Sequence, residues 1–140
     1  MNKSNKEQSL NKQKILSILK QYNLNKDDFI IITGAAMVLH DIRETTHDID
    51  IIVTENLQKE ILNKYPCKLE KDARGIFSKL YSIDNIIEFT TPFFANTEWE
   101  YNNGYKVQTL KSLLELKKKT NRKKDRKDIQ MIEKYIQKHQ

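Results

Sequence analysis

The stretch His47-Asp48-Ile49-Asp50-Ile51-Ile52-Val53 decides how this chain of 140 residues is interpreted. Alternate residues of a β-strand point to the same face with Cα atoms roughly 6.6 Å apart. Asp48 and Asp50 therefore share one face, and the hydrophobic residues next to them point the other way. Such carboxylates repel each other unless a cation or water lies between them. Oxygen ligands suit Mg²⁺, which often binds phosphate as well, so the stretch predicts a divalent cation site and phosphate chemistry.

Length and composition predict one domain, with an α/β core at residues 28–108 and a C-terminal helical pair at 109–140. No apolar run reaches the roughly 20 residues that a membrane-spanning helix needs, so we expect a cytoplasmic protein that does not interact with membranes. Cys67 is the only cysteine. An internal disulfide and a zinc site made of thiolates are therefore excluded.

The net charge of +6 is concentrated at the two ends of the chain. Residues 117–127 contain eight basic residues and one acidic residue, and residues 1–26 contain six lysines and one glutamate. The central part is therefore acidic. An acidic site flanked by basic surface fits a polyanionic substrate such as a nucleoside triphosphate or RNA. A lysine-rich surface that is only well solvated is an equally good interpretation of the charge alone.

Hydrophobic periodicity predicts a mixed β-sheet flanked by helices, in the α/β (α+β) class. Helices are expected at 9–22, 35–40 and 55–65, the last capped by Thr54, and two more helices follow Thr109. The second of these carries Ile129, Ile132 and Ile136 on one stripe. Strands are expected at 29–32, 47–53, 67–70, 76–83, 85–90 and 105–108, with those between 67 and 90 extending the sheet in antiparallel fashion. Residues 92–103 are predicted to be irregular.

Two further features lie near the aspartate pair in this scheme. On the predicted strand 85–90, Glu88 points away from Ile87 and Phe89, so a third carboxylate can join the pair and hold two divalent cations. An ordinary exposed acid is the alternative. The turn Thr33-Gly34-Ala35-Ala36 lets the backbone approach a phosphate closely and directs free amides of a helix start at it. A simple turn is the alternative, and the lack of a second glycine excludes a Walker A or dinucleotide-binding loop.

Taken together, Gly34, Arg43, the acid-x-acid strand and Glu88 resemble the nucleotidyltransferase superfamily with the DNA polymerase β-like fold. The family pattern is a glycine and a small residue on a strand-to-helix turn, an acid-x-acid strand ten to fifteen residues later, and a third acid on a later strand. This chain departs from the pattern at Ala35, where a glycine or serine is usual. It also has Asp41 where relatives often have a glycine after the short helix.

The segments 113–117 and 122–129 look like the C-terminal stretch of the abortive-infection toxin and small antibiotic-modifying branches of that superfamily. A helix lysine contacts the nucleotide phosphates there. The resemblance therefore implies that Lys117 contacts the triphosphate, with Asp125 and Asp128 orienting neighbouring helices and bases.

The resemblance implies a transferase that moves a nucleoside monophosphate from an NTP such as ATP to an acceptor hydroxyl. The acceptor would be an RNA or tRNA end, a protein side chain or a small molecule such as an antibiotic. Three acids, Asp48, Asp50 and Glu88, would hold two Mg²⁺ ions, with Mn²⁺ as the alternative metal. The short turn of Thr33, Gly34 and Ala35 would hold the nucleotide. The alternatives are an idle relative that acts as one half of a toxin–antitoxin pair, and a basic nucleic-acid-binding protein. A homodimer or a cognate partner protein is expected to complete the cleft.

Overall fold

A computed structural model describes residues 8–70, 79–91 and 97–139 of the chain. These residues form five α-helices, seven β-strands and a short 3₁₀ turn at Lys26–Asp28. The elements in chain order are α1 Lys12–Tyr22, β1 Phe29–Ile32, α2 Thr33–Leu39, β2 Ile49–Val53, α3 Glu55–Lys64, β3 Cys67–Glu70, β4 Leu80–Ile83, β5 Ile87–Thr90, β6 Trp99–Asn102, β7 Tyr105–Gln108, α4 Leu110–Thr120 and α5 Lys123–Lys138. None of the helices in these ranges has the length and apolar character needed to cross a membrane.

The strands form one mixed sheet in the order β3-β4-β5-β2-β1-β7-β6. β2 pairs with β5 in parallel and β1 pairs with β7 in parallel, while all other neighbours are antiparallel. The predicted class, a mixed sheet flanked by helices, is confirmed. The expected antiparallel extension is correct for β3, β4 and β5 among themselves. It is wrong for the junction with β2, because α3 returns the chain after β2 and the two antiparallel steps from β3 through β4 then leave β5 parallel to β2.

The main core lies on the sheet face that carries Phe29, Ile31 and Ile51. Helix residues from both ends of the chain belong to the same buried cluster, among them Ile15, Leu19, Met37, Leu57, Ile61, Leu113 and Ile132. The predicted cap of α3 is confirmed, since the Thr54 hydroxyl accepts a hydrogen bond from the Leu57 amide. The opposite face carries a small second cluster of Ile30, Ile32 and Ile52. Asp50 of β2 and Glu88 of β5 share this second face.

Strand β6 was not predicted, because Trp99–Asn102 has no aliphatic alternation. It pairs with β7 through a two-residue turn at Asn103 and Gly104, whose φ angles are 54° and 84°. An Asn-Gly pair with positive φ is the preferred sequence of a tight hairpin, so this dipeptide was the signal in the sequence. The expected strand at 76–83 is described only from residue 79 onward, and the described part contains β4. Residues 71–78 and 92–96, including Phe93 and Phe94, lie outside the described residues.

Candidate active site

Three carboxylates converge on the second face of the sheet. In the parallel pair β2 and β5, Asp50 stands directly opposite Glu88, and Asp48 comes immediately before the first residue of β2. One oxygen of each side chain lies within 4.8 Å of the others, and all three residues are partly buried. The structure thus brings together the three acids that the sequence singled out. Carboxylates this close could hold divalent cations.

The electrostatics of this acidic cluster are dominated by Glu88. Burial, the negative charge of Asp50, a hydrogen bond with Asp50, and the charges of Asp48 and Glu70 together raise the pKa of Glu88 to about 9. Glu88 therefore carries a proton at neutral pH as long as no cation compensates the cluster. Binding of a cation would displace this proton, because metal ligands act in their deprotonated form.

The raised pKa of Glu88 predicts how the stability of the metal-free protein depends on pH. Between the ordinary value of 4.5 and the folded value of about 9, the folded state binds more protons than the unfolded state. The free energy of unfolding should therefore be highest near pH 5 and decrease as the pH rises towards 9. Thermal melts from pH 5 to 9 measure this, and Glu88→Gln should flatten the decrease. A wild-type decrease equal to that of Glu88→Gln would contradict the prediction.

Thr33 connects the acidic cluster to the strand-to-helix turn. Its hydroxyl donates a hydrogen bond to Asp50 at 2.6 Å, and its amide donates to the buried side chain of Gln108 at 3.1 Å. Its φ angle is 54°, a left-handed conformation that a β-branched residue rarely adopts and that costs about 1–3 kcal/mol. Such strain is typical of residues held in place for function. Gln108 was missed in the sequence because a buried glutamine at a strand end carries no pattern.

Gly34 has no room for a side chain. A Cβ atom at this position would lie 2.6 Å from the Thr46 hydroxyl and 3.0 Å from Nη1 of Arg43. The glycine is therefore required by close packing, and the Arg43 guanidinium lies directly over the turn. The next residue, Ala35, is buried with 1% exposure. Its side chain belongs to the main core, so packing accounts for a small apolar residue at this position.

Arg43 belongs to a cluster of ion pairs with the two C-terminal helices. Its Nη2 lies 2.8 Å from Asp128 of α5, and Asp128 also lies 3.0 Å from the ammonium of Lys117 of α4. Lys117 lies 3.5 Å from Asp125, which in turn binds Nε of Arg122 at 2.9 Å. Asp125, Asp128 and Lys117 are buried, with exposures of 0%, 1% and 4%. The structure therefore places Lys117 between two aspartates, and its predicted contact with a triphosphate stays a prediction.

Two histidines and the tryptophan lie outside these two clusters. Nδ1 of His47 is 2.7 Å from the Gln8 carbonyl, and Nε2 of His40 is 2.8 Å from the Gln108 carbonyl. Both histidines thus contact backbone. Trp99 is partly exposed on β6, where its ring packs edge-on against Tyr101 and beneath the ammonium of Lys106.

In comparisons with known proteins, the chain matches no family model, no curated protein and no solved structure. A function can therefore be proposed only from the site itself. Its two halves are the acidic cluster of Asp48, Asp50 and Glu88 and the ion-pair cluster that reaches the turn through Arg43. They are joined by the adjacent residues Thr33 and Gly34, one bonded to Asp50 and the other lying beneath Arg43.

Proposed function

We propose that this protein is a nucleotidyltransferase with the polymerase β-like fold, transferring a nucleoside monophosphate from an NTP to an acceptor hydroxyl. The observation that supports this most is the convergence of Asp48, Asp50 and Glu88 within 4.8 Å. Like charges brought together in a partly buried place reduce stability, and perturbed carboxyl groups of this kind cluster at functional sites. The mixed sheet and the glycine turn after β1 are compatible with that fold.

In this proposal, Asp48, Asp50 and Glu88 hold two Mg²⁺ ions, with Mn²⁺ as the alternative metal. The metals would supply charge neutralisation in the transition state and orientation of the triphosphate. The acceptor oxygen forms a bond to the α-phosphorus while the bond from that phosphorus to the β-phosphate oxygen breaks, and pyrophosphate leaves. The proton of the acceptor hydroxyl would pass to Glu88, after a bound cation has displaced the proton that Glu88 carries in the metal-free protein.

The main competing proposal is a basic protein that binds nucleic acid without chemistry. The structure weakens the charge argument for it, because Lys117 and Arg122 from the basic run are already paired with Asp125 and Asp128. An idle relative that serves as a toxin–antitoxin partner would have no need for three close carboxylates. The acceptor, whether RNA, protein or small molecule, and a homodimer or partner protein stay predictions.

The proposal is tested by incubating the protein with each of the four NTPs labelled at the α-phosphate, with Mg²⁺ and separate pools of tRNA, protein and aminoglycoside acceptors. We expect label in one acceptor pool and release of pyrophosphate, with no label when EDTA replaces Mg²⁺. Asp48→Asn serves as the inactive control. If no pool is labelled and NTP binding is unaffected by Mg²⁺, the proposed function is wrong.

A further inference from the structure

Gln108, the last residue of β7, lies beside the strand-to-helix turn because of the register of three neighbouring strands. β7 runs parallel to β1 with Val107 opposite Ile31, and β2 runs antiparallel to β1 with Asp50 opposite Ile32. Val107 points into the main core, so the next residue, Gln108, points to the second face, which carries Asp50. The sheet thus places Gln108 and Asp50 on either side of the end of β1.

Two hydrogen bonds connect these two side chains through Thr33. Oε1 of Gln108 accepts a hydrogen bond from the Thr33 amide at 3.1 Å, and the Thr33 hydroxyl donates to Oδ2 of Asp50 at 2.6 Å. Gln108 is 3% exposed and Thr33 is 4% exposed. Hydrogen bonds in such a desolvated place are electrostatically stronger than in water. The direction of the Asp50 carboxylate therefore depends on where Thr33 is held.

The backbone of Thr33 needs an outside partner to keep its conformation. Thr33 begins α2, and the amides at the start of a helix have no partner within the helix. Its φ of 54° is unfavourable for a β-branched residue, so this conformation persists only where the surroundings impose it. The hydrogen bond from its amide to Gln108 is such a constraint. Without this bond, a rotation that relieves the strain would carry the hydroxyl away from Asp50.

Gln108 is itself held in one orientation. Its Nε2 donates to the Ser112 hydroxyl at 3.0 Å, and the Ser112 amide donates to the hydroxyl of Thr109, the N-cap of α4. Nε2 of His40 lies 2.8 Å from the main-chain carbonyl of Gln108. Turning the side-chain amide around would place its NH₂ group against the N–H of Thr33, so that two donors would face each other. The side chain is therefore preorganised to accept from Thr33.

We propose that Gln108 is a positioning residue for the candidate metal site: it holds Thr33 so that the Thr33 hydroxyl orients the Asp50 carboxylate for a divalent cation. That the occupant is a divalent cation rests on the proposed function, whereas the transfer reaction is not needed. The alternative is that Gln108 only satisfies a buried amide. Its loss would then lower stability and leave the affinity for metal unchanged.

The test is a calorimetric titration of the 140-residue chain with Mn²⁺. Gln108→Leu keeps the approximate volume but has no acceptor for the Thr33 amide. Since loss of a partner that orients a metal ligand costs about 10–100-fold in metal affinity, this variant should bind Mn²⁺ about tenfold more weakly or worse. Asn102→Leu is the matched control, because Asn102 donates to the Leu39 carbonyl at 3.1 Å and so connects the sheet to the other end of α2. It should change the dissociation constant less than about twofold.

A double-mutant cycle tests whether Gln108 acts through the Thr33 hydroxyl. Thr33→Val removes only the hydroxyl and should weaken Mn²⁺ binding by about tenfold or more, whereas Thr33→Ser keeps the hydroxyl and should stay within about threefold of the wild type. In the Thr33→Val background, Gln108→Leu should weaken binding further by less than about twofold. Full multiplication of the two effects would overturn the proposal, as would wild-type affinity in Gln108→Leu.

A second variant covers the case in which Gln108→Leu folds poorly. Gln108→Asn keeps a polar amide, but its side chain is one carbon shorter and does not span the distance between Thr33 and Ser112. It should also weaken Mn²⁺ binding, and wild-type affinity in this variant would overturn the proposal.

The labelled-NTP assay separates this inference from the proposed function. A wild type that binds Mn²⁺, loses affinity in Gln108→Leu and transfers no label would support the inference and contradict the proposed function. A wild type that transfers label and has the same Mn²⁺ affinity as Gln108→Leu would support the proposed function and contradict the inference. A wild type that binds no Mn²⁺ would contradict both.

Discussion

An Asp50→Asn variant is expected to lose nucleotidyl transfer and, without metal, to melt at a higher temperature than the wild type. Asparagine has the same shape and still accepts the hydrogen bond from the Thr33 hydroxyl. It removes one of the charges that raise the pKa of Glu88, so keeping Glu88 protonated at pH 8 costs the folded state less free energy. The melting temperature should therefore rise by a few degrees. Transfer should fall by at least about 10²–10³-fold, because neutralisation of charge in the transition state is lost.

The measurement combines thermal melts at pH 8 with the labelled-NTP assay. Mg²⁺ should raise the melting temperature of the wild type by mass action and leave that of Asp50→Asn nearly unchanged. Glu60→Gln is the matched control, because Glu60 is an exposed carboxylate on α3. Both its transfer rate and its response to Mg²⁺ should equal those of the wild type. An Asp50→Asn protein that melts lower without metal, or that keeps its transfer rate, would show that Asp50 serves the fold and not the chemistry.

Activity and stability should change in opposite directions in Asp50→Asn, and this distinguishes a metal ligand from a residue that only supports the fold. A residue that only supports the fold loses stability and activity together when it is replaced. A metal ligand in a repulsive cluster reduces the stability of the metal-free protein, so replacing it lowers activity and raises stability. The strained backbone of Thr33 next to Asp50 also lowers the stability of the protein at this site.

The local part of the site could be predicted because strand alternation fixes which side chains share a face. The aspartate pair and Glu88 were found in this way, and the structure brings them together. The glycine turn was found from its place between a strand and a helix. Strand alternation does not predict which strands become neighbours in the sheet. The parallel pairing that sets Asp50 opposite Glu88 depends on the path of the chain through α3, β3 and β4, and not on any property of β2 or β5 alone.

The ion-pair cluster could not be predicted from local patterns for a different reason. Arg43 and Asp128 are 85 positions apart, and charges in a lysine-rich run are normally solvated. The helix period did carry a signal. The buried face of α5 consists of Asp125, Asp128 and Ile132, at a spacing of three and four residues, whereas the predicted stripe began at Ile129. Two aspartates in line with a buried isoleucine indicate buried acids that need cationic partners.

Replacing Asp125 is expected to cause a large loss of stability. Its carboxylate is fully buried and accepts hydrogen bonds from the Thr120 hydroxyl at 2.5 Å and from the amide and side chain of Arg122. Burial alone would raise its pKa, but these bonds and the charge of Lys117 hold the pKa of Asp125 far below its usual range. Its contribution to stability is thus present above the ordinary pKa of an aspartate and is lost as the pH falls through the lower folded value.

Asp125→Ala should lower the free energy of unfolding by about 3–5 kcal/mol, because the buried Lys117 and the adjacent Arg122 lose a counter-charge. Denaturant unfolding at pH 7 measures the change. Glu115→Ala, which removes an exposed carboxylate from α4, should stay within about 0.5 kcal/mol of the wild type. A loss below about 1 kcal/mol for Asp125→Ala would mean that Lys117 reaches solvent. Lys117 would then be available for the phosphate contact expected from the sequence, so this one measurement also decides between the two roles of that lysine.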